Sequence, residues 1–280
     1  MRIVHTKQDV RAAVAAARAE GGSIGLVPTM GALHEGHLSL VRGAVDHCDF
    51  VVVSIFVNPT QFGPGEDLDA YPRDLEGDAA KLASQGADLI FAPDPAEMYA
   101  ADSCTVVSVE ALTEGLCGAF RPRHFDGVTT VVCKLLNIVA SDRAYFGRKD
   151  YQQLVVIRRM VRDLDMPVEV IGMPTVREDD GLALSSRNRY LTEREREVAP
   201  KLHEALIAGA DAARQGATAA EVERIVAAEL GEEPLFEPQY VRAVDADTLQ
   251  PMQGRSGRMV IAVATYLGST RLIDNVVVEG

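Results

Sequence analysis

Ile24-Gly25-Leu26-Val27-Pro28-Thr29-Met30-Gly31-Ala32-Leu33-His34-Glu35-Gly36-His37 is the stretch that decides how the chain is read. Residues 24–27 are short and apolar, which predicts a buried strand. Pro28 has no N–H to give a ladder, so the strand is expected to stop there. Gly31 and Gly36 allow close approach of backbone to a ligand. A helix is expected from about 36 to 44, with Leu38, Leu40 and Val41 on its apolar side. Two imidazoles, His34 and His37, therefore fall at a strand-to-helix turn. Open α/β sheets bind ligands at the carboxyl ends of their strands, and a helix N-terminus attracts phosphate. Taken alone, two histidines three apart also fit a solvated pair or half of a metal site. Here no third ligand lies close by in the sequence, and the strand and glycines sit where a nucleotide site needs them.

Working outward, Thr6 reads as the N-cap of an alanine-rich helix, with Asp9 in its first turn and Gly21-Gly22 at its end. Downstream, residues 49–57 are β-branched and nearly continuous, as in a strand covered on both faces. That run ends in Asn58-Pro59-Thr60-Gln61-Phe62-Gly63. Asn58 and Gln61 fit turn chemistry, and equally a pair of neutral amides for a polar ligand. An acidic loop (66–71), a helix from Pro72 to about 85 and a strand at 88–93 follow. The region 94–120 is less regular, with one strand expected at 105–109.

Arg121-Pro122-Arg123-His124-Phe125-Asp126-Gly127 reads as a basic loop, either plainly exposed or offering a second helix N-terminus to an anion. Apolar residues at 128, 131, 132, 135, 136 and 139 predict the helix after it. A strand at 143–146 ends in Gly147-Arg148-Lys149-Asp150-Tyr151-Gln152-Gln153 and opens a helix to about 164; a strand at 167–172 closes the series. Strands alternating with helices predict a parallel, doubly wound α/β sheet, with these loops gathered on one edge. After 174 the character changes. Val176-Arg177-Glu178-Asp179-Asp180-Gly181-Leu182-Ala183-Leu184-Ser185-Ser186-Arg187 is polar, and Thr192 caps a helix. A second helix is expected at 218–230, with strands at 237–244, 259–266 and 271–278, the last two joined at Gly268-Ser269. The expected domains are 1–175 and a smaller α+β domain, 176–280.

Composition bounds the function. The 280 residues are 47% hydrophobic and 25% charged, ordinary for a globular protein. No apolar run is long enough to span a membrane and no secretory signal is visible, so a cytoplasmic location is expected. Cys48, Cys104, Cys117 and Cys133 are scattered, which predicts neither disulfides nor a zinc site. A formal net charge of −13 argues against nucleic-acid binding. It also means that any anionic ligand must meet a local site built from histidine, lysine, arginine and helix N-termini.

The pattern His34-Glu35-Gly36-His37 resembles the HxGH signature of nucleotidyltransferases and class I synthetases. Six phrases together resemble the pantoate–β-alanine ligase (pantothenate synthetase) family: PTMGALHEGH at 28–37, FVNPTQFG at 56–63, YPRD at 71–74, RPRHFDGV at 121–128, FGRKDYQQL at 146–154 and REDDGLALSSRNRYL at 177–191. The resemblance implies a Rossmann-like N-terminal domain, a C-terminal lid and a homodimer. It implies ATP-dependent condensation of (R)-pantoate with β-alanine through a pantoyl adenylate, with Mg2+ accompanying ATP. His34 and His37 would act on the phosphates, Lys149 would bind them and Asp150 the ribose. Gln61 and Gln153 would hold pantoate, whose pocket Pro28 and Met30 help to line. Ser185, Ser186 and Arg187 match a phosphate-binding loop. Thr29, Gly31, Gly36, Gly147, Val176 and Leu184 complete the expected ATP pocket. Arg148 stands where the family usually has glutamate, Arg123 where glycine is common, and Thr60 and Leu184 where methionine is. The metal's protein ligands stay open: Asp67 and Asp69 are candidates, and so is a solvated acidic loop. Other readings are an HxGH enzyme acting on a phosphorylated acceptor, or a non-catalytic nucleotide binder.

Overall fold

The computed structural model describes residues 1–252 and 257–279. The chain divides into two compact units. The first comprises residues 1–110, 121–148 and 156–174; the second comprises 111–120, 149–155 and 175–280.

In chain order the elements begin with β1 (Arg2–Val4), α1 (Lys7–Ala19), β2 (Ile24–Thr29), α2 (Glu35–Val45) and β3 (Phe50–Ile55). Then come α3 (Leu75–Ser84), β4 (Leu89–Phe91), α4 (Pro95–Met98), α5 (Leu116–Phe120) and α6 (His124–Val139). Next are β5 (Arg143–Gly147), α7 (Tyr151–Asp163) and β6 (Glu169–Met173). The six strands form one parallel sheet in the order β1-β4-β3-β2-β5-β6. The order reverses between β2 and β5, which is where doubly wound sheets open a crevice. Because every pair is parallel, β2, β3 and β5 deliver their carboxyl ends to the same edge. One face is covered by a core of Val27, Val41, Ala44, Val53, Ile90 and Tyr145. The amphipathic helix α2 supplies Leu40, Val41 and Ala44 to it.

Three expectations are corrected. First, β2 does not stop at Pro28; it continues through Thr29, paired with β3. Phe56 N–H donates to the Thr29 carbonyl, so by strand alternation Pro28 faces the other neighbour, β5. Pairing with β5 covers only Gly25 and Leu26, so the missing N–H of Pro28 falls beyond that ladder and breaks nothing. Second, 105–109 is not a strand. Val107 N–H donates to Thr130 Oγ1 and the Val107 carbonyl accepts from Thr129 Oγ1, so side chains of α6 take the place of a ladder. Third, α6 starts at His124, inside the expected basic loop; Arg123 precedes it with φ of 63°.

In the second unit α8 (Glu193–Val198), α9 (Lys201–Arg214) and α10 (Ala219–Gly231) precede β7 (Phe236–Asp245), β8 (Met259–Leu267) and β9 (Thr270–Val278). Thr192 and Thr218 each close a capping box with a glutamate three residues on. The strands form an antiparallel sheet, β7-β8-β9. Its inward residues, Val241, Ile261, Val263 and Leu272, share one core with Leu202, Leu206, Val222 and Val226 of the helices.

Candidate active site

The turn after β2 is held from beneath by one residue. Asp78 on α3 is 1% exposed. Its Oδ2 accepts Ala32 N–H and its Oδ1 accepts Leu33 N–H, both at 2.8 Å. Lys81 Nζ stands 3.6 Å from Asp78 and donates to the Leu33 carbonyl at 2.9 Å. Gly31 has φ of 82°, and a Cβ there would meet Asp78 Oδ2 at 3.1 Å. Both the conformation and the close approach require glycine.

His34 is the N-cap of α2. Its Nδ1 accepts Gly36 N–H at 3.1 Å, and His37 Nδ1 accepts His34 N–H at 3.4 Å. An Nδ1 that accepts carries no proton, so each neutral ring holds its proton on Nε2. Protonating either Nδ1 would break the cap. The two rings lie 4.2 Å apart between centroids, and each thus brings an Nε2–H donor to the helix N-terminus.

After β3 the chain makes a 3-10 turn, Pro59–Gln61, capped by Asn58. Asn58 is 1% exposed. Its amide donates to Gln61 Oε1 at 3.2 Å and to the Gly127 carbonyl at 3.1 Å. Its oxygen accepts from Tyr99 at 2.8 Å and from Thr60 Oγ1 at 3.0 Å. Burial raises the Tyr99 hydroxyl pKa, against the opposing pull of its hydrogen bonds to Thr60 and Asn58, and keeps it a donor. Asn58 is therefore an internal strut, and only Gln61 of the pair presents an amide. Gln61 Nε2 lies 3.1 Å from Met30 Sδ, a weak acceptor that a carboxylate or hydroxyl oxygen displaces at little cost. The Gln61 carbonyl is held by His124 Nδ1 at 2.8 Å.

Arg121 and His124 are likewise engaged within the unit. Arg121 forms a fork with Glu66 at 2.7 and 2.5 Å. Burial raises the Glu66 pKa, but the Arg121 hydrogen bond and charge outweigh it and the net shift is downward. The first unit thus groups Pro28, Thr29, Met30, Gly31, His34, Gly36, His37, Gln61 and Gly147 at the carboxyl ends of β2, β3 and β5.

The second unit carries the remaining expected residues on two segments. Lys149 and Asp150 lie in a 3-10 turn that runs into α7, whose first turn holds Gln153. Gln152 anchors this turn. Its Nε2 donates to the carbonyls of Leu112 and Gly115, and its Oε1 accepts Cys117 N–H. The other segment is a small hairpin, in which Glu178 N–H bonds the Leu182 carbonyl and Leu184 N–H the Val176 carbonyl. It delivers Ser185, whose Oγ accepts Arg187 N–H, and the 3-10 turn Ser186–Tyr190. Arg196 braces it through Glu178 at 2.7 Å and Asp180 at 2.6 Å.

A family model for pantoate–β-alanine ligases matches residues 2–277. The chain belongs to this family. It is 58% identical to the pantothenate synthetase of Moorella thermoacetica, over 100% of this chain and 99% of that one. The crystal structure of pantothenate synthetase from Thermus thermophilus superposes with a TM-score of 0.93 at 51% identity, covering 99% of both chains. The pantoate–β-alanine ligase from Francisella tularensis, solved with a β,γ-ATP compound and β-alanine, superposes at 0.81 with 35% identity, over 99% of this chain and 97% of that one. The Rossmann-like sheet with its small antiparallel C-terminal sheet is the fold of these ligases.

Sequence reasoning missed Asp78, Asn58's strut role and Gln152. Asp78 left a signal: it interrupts the apolar side of α3 beside Leu75 and Leu82, and a lone carboxylate on a buried stripe has to be paired. Gln152 left none, because its partners are backbone groups some 35–40 residues away. Two of the four departures from the family pattern, Arg148 and Arg123, have local roles. Arg148 Nε donates to the Gly172 carbonyl at 3.0 Å. Arg123 is mostly exposed, 3.7 Å from Asp126, and its left-handed backbone explains why glycine suits that position.

Proposed function

We infer that the chain condenses pantoate with β-alanine, using ATP, and releases AMP and pyrophosphate. The single observation that carries this is the 58% identity across the whole chain to a pantothenate synthetase. In the first step the pantoate carboxylate attacks the α-phosphorus of ATP, and pyrophosphate leaves. In the second the neutral amine of β-alanine attacks the acyl carbon, its proton is lost and AMP leaves. No protein nucleophile is needed; the residues position groups and stabilise charge.

The proposed roles rest on the family resemblance, and the local geometry supports them. His34 and His37 offer Nε2–H donors to the phosphates without needing to be charged. Lys149 is assigned to ATP phosphate, Asp150 to the ribose hydroxyls, and Ser185, Ser186 and Arg187 to the polyphosphate. Arg187 brings a planar donor fork to it. Gln61 exchanges Met30 Sδ for a pantoate oxygen, and Gln153 serves pantoate in the same way. Backbone at Pro28, Thr29, Met30, Gly31, Gly36 and Gly147 lines the pockets, with Val176 and Leu184 beside the nucleotide. The segment after 176 serves as a lid that keeps water from the acyl adenylate.

Magnesium arrives as part of the Mg·ATP substrate. Among the described residues no group of three or more His, Cys, Asp or Glu side chains is placed to hold a metal, and magnesium commonly binds through substrate phosphates and water. We further propose a homodimer, which sedimentation would test, and a cytoplasmic location, where this ATP chemistry belongs. No helix among the described residues is long and apolar enough to cross a membrane.

The experiment is pyrophosphate release from ATP with D-pantoate, with and without β-alanine, and mass detection of the product. Release should need pantoate, and the amide product should need β-alanine. ATP binding without pantoate-dependent release overturns the reading. His37→Ala and Lys149→Ala should each lower turnover by about a hundredfold; near-normal turnover in either would remove that residue from the site.

A further inference from the structure

We propose that Asp274 and Asn275, neighbours on β9, are positioning residues that hold two nucleotide-contacting segments of the second unit in one frame. These segments are the turn at Lys149 and the hairpin that delivers Ser185 and Arg187. The proposal rests on the reading of Lys149 and Arg187 as ATP contacts.

Successive side chains of a strand point to opposite faces. Asp274 shares the face of Leu272 and Val278, which belong to the helix-packed core. Asn275 points the other way, with Arg271, which reaches Gln239 and Cys117. On the first face both Asp274 oxygens are taken by the Arg177 fork, at 2.6 and 2.9 Å. Arg177 also donates to the Gly181 carbonyl at 3.0 Å and bridges Ala183 through its backbone, so the same guanidinium closes the hairpin and ties it to β9. On the second face Asn275 Nδ2 donates to the Lys149 carbonyl at 2.8 Å. The two halves are joined by Asn275 N–H, which donates to Asp274 Oδ1 at 2.8 Å.

Asp274 is 3% exposed and Asn275 7%. Burying an acid and an amide side by side in a strand is unfavourable unless both are fully hydrogen-bonded. The neighbouring positions are Leu272, Ile273, Val276, Val277 and Val278. An apolar pair would continue that run without the desolvation penalty. What the polar pair gains is attachment: two segments separated by more than 25 residues are referred to adjacent positions of one strand. A shift of either relative to the other breaks a buried hydrogen bond, so the spacing of Lys149 and Arg187 is set before ATP arrives. Such preorganisation lowers the ordering cost of binding.

The test is a pair of double-mutant cycles read as Kd for Mg·ATP without pantoate, by calorimetry. Asn275→Ala should weaken binding about tenfold. In a Lys149→Ala background the same change should weaken it less than about twofold. Asp274→Asn should behave the same way against Arg187→Ala. A purely structural role would lower affinity equally in both backgrounds, and that result overturns the proposal. So does unchanged affinity of Asn275→Ala in a protein whose Lys149→Ala variant binds poorly. If Lys149→Ala and Arg187→Ala both bind Mg·ATP like the unaltered protein, the underlying site reading fails and the proposal with it. Should Asn275→Ala unfold at the assay temperature, Asn275→Thr, which strands accept, goes through the same cycle with the same criteria.

Discussion

Asp78→Ala is the perturbation that separates the scaffold of the turn after β2 from the chemistry proposed for it. The carboxylate touches no expected substrate group, yet it accepts two backbone N–H groups of the turn at 2.8 Å each. Hydrogen bonds to a charged acceptor contribute about 1.5–3 kcal/mol each. Alanine also leaves the Ala32 and Leu33 donors without their acceptor and Lys81 without its nearby carboxylate. The expected loss is about 3–5 kcal/mol of stability, toward the range measured when one partner of a buried pair is removed. Lys81 still donates to the Leu33 carbonyl, so the turn should loosen rather than detach. His34 follows Leu33 directly and His37 is one helical turn further on, and a displacement of about 1 Å at a reacting centre costs on the order of a hundredfold in rate. Urea denaturation reads the first number, and pantoate-dependent ATP–pyrophosphate exchange reads the second. Asp78→Asn should keep part of the stability, since one oxygen remains, but its amide N–H2 opposes a backbone donor. The reasoning is refuted if Asp78→Ala lies within about 1 kcal/mol of the parent and exchanges pyrophosphate at the parent rate.

Three further outcomes are expected. Arg123→Gly should raise stability in denaturation by about 0.5–1 kcal/mol, because a non-glycine residue at φ of 63° is strained and the exposed Arg123 side chain makes only a long 3.7 Å pair with Asp126; a lower midpoint would refute this. Gly127→Ala would press a Cβ into the Thr60 carbonyl and set it 2.6 Å from Gln61 N. It should raise the KM for pantoate about tenfold while leaving the KM for ATP within about twofold, since Gln61 moves and the β2 turn does not. Burial, aided by the Arg177 charge, lowers the His203 pKa below 6.5. The unfolded chain then binds more protons than the folded one below that value. The stability contribution is full above 6.5 and is lost as pH falls toward the folded value. His203→Gln should flatten this slope in denaturation series run from about pH 7 to about pH 5.

The parts of the fold that were legible are those written in local chemistry. Residues 50–55 read as a covered strand because five of the six are apolar, and Thr6, Thr192 and Thr218 announce helices because a hydroxyl beside free N–H groups is a local matter. What misled was local chemistry answered by distant partners. The proline rule failed at Pro28 because the residue faces past the end of its ladder with β5. The β-branched run at 105–109 failed as a strand because Thr129 and Thr130 supply its hydrogen bonds. The candidate site divides along the same line. His34, His37 and Gln61 stand in recognisable phrases, whereas Asp78 and Asn275 act on backbone 45 and 126 residues away.

The net charge of −13 posed the question of how this chain receives a polyanion. In the proposed reading the β2 turn answers it with donors that carry no net charge. His34 and His37 use their Nδ1 atoms inside the cap of α2, which leaves the proton of each neutral ring on Nε2, near the positive end of the helix dipole. The carboxylate in that first turn, Glu35, would oppose a phosphate. It is paired with Arg42, seven residues along the same helix. That pairing draws Glu35 toward the C-terminal part of α2 and offsets its charge. In the proposed reading Lys149 and Arg187 supply formal cations, and both belong to segments tied to β9 by buried hydrogen bonds. On this reasoning Glu35→Gln should change ATP affinity little, because the repulsion is already neutralised. Arg42→Ala should weaken it more, because it releases Glu35 at the phosphate end. Calorimetric titration of Mg·ATP into both variants reads the ranking, and the opposite order would mean that the Glu35–Arg42 pair has no bearing on the anion.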